Sequence, residues 1–337
     1  MKGDAGVRWL RRLSLILLVL LVLLWLSPAQ PVLMKVMLLR PNALVPQEPP
    51  HTLVLVAHGP RGKGVVHVVV RPGTVLDGWI TSPALHERRA PYLIYLPPGY
   101  TDPANAARHY PALYLLHGAP GQPSDWTDGA HVTILADEFI AQGQIRPLIM
   151  VMPEGNGGVW HDAQYVDGVT SFAAETYLTR DVVGYVDTHY RTRPDRRYRA
   201  LLGISEGGYG AVNLALKHHD EFGVAVSIGG YFTAPEDEVF GLANPFGHDA
   251  RLVAANDPMS YVRLQHRPRD VRLLIADNPS DGHYYAQALA FARELALLDI
   301  PHRVLIQPAP PLLGHYWPYW HKAIPPALIF VSQNFGR

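Results

Sequence analysis

Short apolar runs alternate with helix-like stretches along most of this chain, and that alternation limits its fold more than any other feature. The runs are nearly continuous in aliphatic residues, which is typical of strands that are covered on both faces. They lie at residues 92–96, 112–117, 148–152, 199–204, 224–228, 271–276 and 302–307, and helical periodicity occurs at 132–140, 176–186, 209–217 and 284–298. The pattern predicts an α/β fold with a mostly parallel central sheet and helices on both faces.

Two regions depart from this alternation. Residues 51–58 and 64–70 are rich in β-branched residues and are separated by a Gly-rich turn, so they predict a β-hairpin. Residues 231–270 contain Pro, Gly and acidic residues in place of a regular strand or helix pattern, and we interpret them as an insertion over the active-site end of the sheet. We expect one domain over residues 51–337.

The N-terminus has the layout of an export signal or a membrane anchor. An apolar run at 13–26 is followed by Ser27-Pro28-Ala29 and preceded by basic residues: Lys2, Arg8, Arg11 and Arg12. Small residues after such a run are typical of a signal-peptide cleavage site. Adding Trp9 and Leu10 lengthens the run, so an uncleaved anchor is the alternative. In either case we expect residues 1–29 to direct the rest of the chain out of the cytoplasm, with membrane contact confined to residues 9–26 and residues 30–50 forming a Pro-rich linker.

Composition excludes several classes of function. The chain has no cysteine, so disulfides, thiol nucleophiles and cysteine zinc sites are all absent. Lys and Arg total 29, as do Asp and Glu, so the formal net charge is zero. A nucleic-acid-binding protein usually has an excess of basic residues, and this composition therefore argues against that function.

A serine stands at the sharpest predicted turn of the chain. The segment Gly203-Ile204-Ser205-Glu206-Gly207-Gly208 follows the strand at 199–204 and precedes the helix at 209–217. A strand-to-helix turn with small flanking residues holds its serine in a strained conformation, with the hydroxyl exposed above the sheet. Ser205 is therefore the candidate nucleophile, and the backbone N–H of Glu206 is a candidate oxyanion donor.

A serine nucleophile needs a base, and the sequence offers one on a loop after the last strand. In sheets of this kind the partners follow in the order serine, acid, histidine. His315 is the candidate base, and two carboxylates could orient it: Asp281, which we favour, and Asp277, which lies directly at the strand end. The loop after the strand at 112–117 is the expected source of the second oxyanion donor. We choose the N–H of Ala119, since the following Pro120 has none.

Five motifs in this order resemble the "Putative esterase" family of α/β-hydrolases, which includes esterase D, feruloyl esterases, enterochelin esterases and mycolyltransferases. The motifs are Tyr95-Leu96-Pro97-Pro98-Gly99-Tyr100, Leu115-Leu116-His117-Gly118, Met152-Pro153, the Ser205 turn, and Gly314-His315-Tyr316-Trp317-Pro318-Tyr319-Trp320. The resemblance covers about residues 76–334 and implies an α/β-hydrolase fold. It also implies a catalytic triad of Ser205, Asp281 and His315. The chain departs from the family in having Glu206 after the serine, where Met is common.

These observations predict a serine esterase, exported or membrane-anchored, that acts on a small-molecule, lipid or glycan ester. An acyltransferase of the mycolyltransferase type is the first alternative, and a non-catalytic envelope binding protein with the same fold is the second. Trp160, Trp317 and Trp320 are candidate substrate contacts, with core packing as the alternative for each. The mechanism requires no metal or organic cofactor.

Overall fold

A twisted sheet forms the centre of the computed structural model, which describes residues 50–59, 62–158, 162–169, 172–235, 244–264, 270–311 and 313–337. The described residues contain ten strands: β1 His51–Gly59, β2 Gly62–Val70, β3 Thr74–Ser82, β4 Arg88–Leu96, β5 Ala112–Leu116, β6 Ile149–Pro153, β7 Arg199–Ile204, β8 Val224–Ile228, β9 Arg272–Asp277 and β10 His302–Ile306. Strands β1 and β2 pair as an antiparallel hairpin, as predicted. The other eight form one sheet in the order β10-β9-β8-β7-β5-β6-β4-β3. Strand β4 is antiparallel to both of its neighbours, β3 and β6, and all the other neighbouring strands in this sheet pair in parallel.

Helices of very different lengths connect these strands. The α-helical segments are α1 Val132–Ala141, α2 Ala174–Thr176, α3 Val183–His189, α4 Glu206–Lys217, α5 Ala250–Ala255, α6 Pro258–Tyr261, α7 His283–Leu297 and α8 Trp317–Asn334. Two π-helical segments, Asp125–Gly129 and Tyr177–Val182, and four 3-10 turns, Pro83–Leu85, Pro103–Asn105, Arg196–Tyr198 and Pro279–Asp281, complete them. No helix in the described part of the chain combines the length and apolar character that crossing a membrane needs.

Both faces of the sheet are buried, as nearly continuous apolar strands require. Successive residues of β5 alternate between two cores: Tyr114 packs in one, while Leu113 and Leu115 pack in the other. Helices α3, α4 and α7 cover the first face, and α1 and α8 cover the second. This is the predicted layered α/β architecture.

Strand β3 and helix α8 form although the local sequence disfavours them, and neither was predicted. Strand β3 contains Asp77-Gly78, a pair typical of turns, but Gly78 sits in the strand because the ring of Tyr92 occupies the space where its side chain would be. Helix α8 contains Pro325 and Pro326, which normally disfavour a helix interior. Its buried apolar face compensates by packing on the sheet.

The order of the strands creates a crevice at the carboxyl ends of β5 and β7. These strands are neighbours, yet the chain continues from β5 to β6 on one side and from β7 to β8 on the other. Ligands of open α/β sheets bind at such a reversal of strand order. Ser205 follows β7 and His117 follows β5, so both loops open on this crevice.

The predicted signal or anchor lies within residues 1–49, outside the described residues. The predicted insertion at 231–270 is described in part, and it contains α5 and α6. Its residues Tyr231 and Phe246 pack with Tyr209 in a small apolar cluster. Because Tyr209 is in the first turn of α4, this segment lies close to the turn that carries Ser205.

Candidate active site

Ser205 occupies a strained turn between β7 and α4. Its backbone has φ 54° and ψ −123°, in a region that residues with a side chain rarely adopt. The Ser205 N–H donates to the carbonyl of Ile228 on the neighbouring strand at 2.9 Å, which ties the turn to the sheet. Strain of this kind persists only where the surrounding structure enforces it.

Glycines make this turn possible, because neighbouring backbone atoms fill the space that a side chain at these positions would need. A Cβ on Gly203 would lie 1.9 Å from the carbonyl oxygen of Gly207, and a Cβ on Gly207 would lie 2.1 Å from that of Leu116. Both distances are far below van der Waals contact. The Gly-x-Ser-x-Gly spacing therefore lets β7, α4 and the end of β5 approach closely.

His315 links Ser205 to Asp281. Its Nε2 lies 2.8 Å from the Ser205 Oγ, and its Nδ1 lies 2.9 Å from each carboxylate oxygen of Asp281. This geometry fits the tautomer in which Nδ1 carries the proton and donates to the carboxylate, leaving Nε2 to accept from the serine hydroxyl. Asp281 is buried and the imidazole is half-buried. The structure thus brings together three residues that lie far apart in the sequence.

The loops carrying Asp281 and His315 are fastened to each other. The buried Asn278 accepts from the N–H of Ser280 at 3.0 Å and donates from its amide to the carbonyl of Gly314 at 2.9 Å. A Cβ on Gly314 would lie 2.7 Å from the N of Asp281, so a glycine is needed for this close approach. The contact holds the histidine loop beside the 3-10 turn Pro279–Asp281.

Asp277, the alternative acid, is not hydrogen-bonded to His315. It ends β9 with a fully buried side chain, and its Oδ1 accepts the N–H of Asn278 at 2.6 Å. The pKa of Asp277 is raised to about 8, mainly by burial and also by the neighbouring Asp281 carboxylate, against the opposing effect of the Asn278 N–H. Of the two carboxylates proposed from sequence, Asp281 is the one that meets the imidazole.

The loop proposed to supply the second oxyanion donor lies directly against the nucleophile. A Cβ on Gly118 would lie 3.1 Å from that of Ser205. The loop is held from behind, since the buried Tyr165 hydroxyl donates to the His117 carbonyl at 2.6 Å. Ala119 follows Gly118 in this loop, so the backbone carrying its N–H passes beside the serine turn.

Glu206 begins α4 directly after the serine. The first N–H groups of a helix have no intrahelical acceptor, and the helix dipole favours negative charge there. The Glu206 side chain is buried, and its Oε2 accepts from the Asn156 amide at 3.1 Å.

Aromatic rings surround the imidazole. Trp320 meets His315 edge-on at a centroid distance of 5.6 Å, and Trp317 meets Trp320 at 5.0 Å. Of the predicted substrate contacts, Trp320 therefore lies at the site, Trp317 lies one ring away, and Trp160 is outside the described residues. Tyr284, which was not predicted as a site residue, stacks on His315 with a ring-centroid distance of 4.6 Å. Its closeness in sequence to the candidate acid Asp281 was the available signal, since α7 begins two residues after Asp281.

In the part of the chain that the structure describes, no group of three or more His, Asp or Glu side chains is arranged to hold a metal ion. The site instead offers a hydroxyl, an imidazole and a carboxylate in series beside a helix N-terminus. A parallel sheet with a serine on a strained strand-to-helix turn at its strand-order reversal defines the α/β-hydrolase fold.

Comparison with known proteins agrees with this class. The family described as "Putative esterase" matches residues 82–331, and the chain belongs to that family. An esterase of Mycobacterium tuberculosis is 28% identical over 233 residues, which cover 60% of this chain and 48% of that protein. A diacylglycerol acyltransferase/mycolyltransferase of Mycobacterium leprae is 30% identical over 123 residues, or 35% of either chain.

Solved structures show the same fold. A ferulic acid esterase superimposes with a TM-score of 0.68 at 25% identity, and the match covers 79% of this chain and 100% of that one.

The chain matches less than half the length of three curated relatives found by sequence similarity. The matched regions span 20%, 31% and 48% of those proteins. The family and fold thus support an ester hydrolase or acyltransferase.

Proposed function

We propose that this protein is a serine esterase that hydrolyses carboxylic esters through an acyl-enzyme on Ser205. The observation that carries the proposal is the pair of hydrogen bonds that join Ser205 Oγ to His315 Nε2 at 2.8 Å and His315 Nδ1 to Asp281 at 2.9 Å. A serine at its ordinary pKa is a weak nucleophile, and an adjacent oriented base is what activates it. Membership in an esterase family supports the same chemistry.

In this mechanism the Ser205 Oγ attacks the ester carbonyl carbon while its proton passes to His315 Nε2. Asp281 holds the imidazole in the correct tautomer and stabilises the imidazolium. The oxyanion is stabilised by the N–H groups of Ala119 and Glu206, each lowering the barrier by about 3 kcal/mol. The tetrahedral intermediate then expels the alcohol, which takes the proton from Nε2. Water then attacks the carbonyl carbon of the acyl-enzyme in the same way, with His315 as the base, and releases the carboxylic acid and free Ser205.

The proposed substrate is an ester of a small-molecule, lipid or glycan alcohol, bound beside the rings around His315. Trp320 and Tyr284 contact the imidazole from two sides. Either the acyl group or the alcohol group of the ester would therefore pack against these rings. Trp317 extends this apolar surface by one ring. We propose Trp160 as a further substrate contact on sequence grounds alone.

Labelling with a fluorophosphonate tests the nucleophile. We expect the wild-type protein and Ser260→Ala, which changes an exposed serine, to be labelled equally, and Ser205→Ala to remain unlabelled. Ester turnover should follow the same order. If wild type is not labelled, the protein is a binding protein that retains the fold rather than a serine esterase. If Ser205→Ala is labelled as strongly as wild type, Ser205 is not the nucleophile and the proposal is wrong.

Acyl transfer to an alcohol is the second candidate function. Similarity to the Mycobacterium leprae mycolyltransferase favours it, because a transferase and a hydrolase share the acyl-enzyme and differ in what takes the acyl group. The test supplies an activated ester with and without a sugar acceptor. An esterase releases free acid at the same rate in both, whereas a transferase forms sugar ester faster than free acid.

We also propose that residues 1–29 export or anchor a catalytic domain formed by residues 51–337, with residues 30–50 as the linker. The support is the basic and apolar pattern of residues 2–26. The full chain and a variant lacking residues 1–29 would be expressed and fractionated. We expect the full chain outside the cytoplasm or in the membrane and the shortened chain in the cytoplasm, and the same location for both would contradict the proposal.

A further inference from the structure

A second carboxyl group lies directly behind the one that receives the His315 proton. Asp277 and Asp281 are within side-chain hydrogen-bond reach of each other, and both are buried. Oδ1 of Asp277 accepts the N–H of Asn278, but its Oδ2 is buried and meets no donor among the described residues. A buried carboxylate oxygen without a donor is costly, and a like charge beside it makes it more so. A proton on Oδ2 removes both costs, because it neutralises the group and supplies a hydrogen bond.

The groups that face this pair come from each element packed against it. His315 contacts Asp281 from the loop before α8, and the buried Tyr319 of α8 interacts with both carboxyls. Tyr284 of α7 interacts with Asp281. From the end of β8, Gly229 contributes only backbone, and a Cβ there would lie 3.2 Å from Asp281 Oδ2. Both tyrosines are neutral at physiological pH, and burial raises their pKa values still further above it.

We propose that Asp277 is a positioning residue that, as a neutral carboxylic acid, donates a hydrogen bond from Oδ2 to Asp281 and thereby fixes the carboxylate that holds His315. This inference rests on the proposed function, since it assigns His315 as the base. Asp281 then accepts from two sides, from the Asp277 hydroxyl and from the imidazole Nδ1–H. Its single negative charge stays beside the imidazole while the group behind it remains neutral.

Raising the pH reverses this arrangement. Burial raises the pKa of Asp277 to about 8, so the acid ionises at mildly alkaline pH. Its ionisation removes the hydrogen bond and places a second negative charge beside Asp281. The two carboxylates then repel each other, and Asp281 is displaced from His315 Nδ1. We therefore expect kcat to fall above about pH 8.

The test compares two substitutions of the same residue. Asp277→Asn keeps a donor of similar size toward Asp281 but cannot ionise, whereas Asp277→Ala removes the donor. We expect Asp277→Ala to lower kcat about tenfold with a smaller effect on KM, the loss of one hydrogen bond to a charged group. We expect Asp277→Asn to recover most of this loss and to lack the alkaline fall. Asp270→Asn, which changes an exposed carboxylate, should keep the wild-type pH profile.

An infrared difference spectrum supplies a readout that is independent of turnover. The wild-type protein at pH 7 should show the C=O stretch of a protonated carboxyl group, and Asp277→Asn should lack it. If Asp277→Asn keeps the wild-type alkaline fall, or if the band persists in that variant, the proposal is wrong. If instead no ester is turned over by the wild-type protein, the proposed function fails, while the spectrum still decides whether Asp277 holds a proton.

Discussion

Replacing Gly203 by alanine should disrupt the serine turn, because the added Cβ makes the shortest contact of any described glycine. The new Cβ would lie 1.9 Å from the Gly207 carbonyl oxygen, whereas real Cβ contacts essentially never fall below 3.0 Å. Strand β7 and helix α4 must therefore separate by about 1.1 Å. Both partners are backbone, so no side chain can rotate away to relieve the overlap.

The movement of β7 away from α4 has two consequences, one for stability and one for catalysis. Overpacking of this kind typically lowers the free energy of unfolding by about 1–3 kcal/mol. Ser205 sits between the two elements that move, and a displacement of about 1 Å at a catalytic group costs about 100-fold in rate. We thus expect kcat/KM for ester hydrolysis to fall about 100-fold while the protein still folds.

Gly184→Ala is the matched control for this substitution. Gly184 lies in helix α3, and a Cβ there would meet no heavy atom within 4 Å. Alanine should raise stability by about 1 kcal/mol through helix propensity and leave kcat/KM unchanged. Urea unfolding and ester kinetics of both variants provide the measurements. Wild-type stability and activity in Gly203→Ala would refute the argument that backbone contact enforces the turn.

Three further predictions address the acid, the buried carboxyl and the oxyanion loop. Asp281→Asn should lower kcat about 10⁴-fold, the effect seen when a triad acid can no longer select the tautomer, and a loss below tenfold would contradict its role. Because Asp277 has a higher pKa folded than unfolded, the folded state binds more protons between about pH 4 and 8, and stability falls as pH rises through that window. Asp277→Asn should therefore raise the free energy of unfolding in urea more at pH 7 than at pH 5, by up to about 4 kcal/mol at pH 7. Tyr165→Phe removes the hydroxyl that holds the His117 carbonyl and should lower kcat about tenfold with little change in KM. If the variant also binds a substrate analogue about tenfold more weakly, the substitution has distorted the site as a whole.

Several features of the fold could be predicted because they depend on short stretches of chain. The parallel strands bury both faces, so each is a continuous apolar run that stands out in the sequence. The Ser205 turn could be predicted for a similar reason, since a strained strand-to-helix turn requires small residues at fixed offsets. Strand β3 and helix α8 escaped prediction because tertiary packing overrides the local preference of Asp77-Gly78 for a turn and of Pro325-Pro326 against a helix.

By itself, the sequence determined the layered α/β architecture, the position of the serine and the chain order of its candidate partners. Only the tertiary structure decided which carboxylate meets His315 and which rings surround it. Asp277 and Asp281 are four residues apart and chemically identical, and the difference between them comes from the contact of Asn278 with the Gly314 carbonyl, 36 residues along the chain. Such a choice depends on how two loops dock in space, and no local pattern in either loop records that docking.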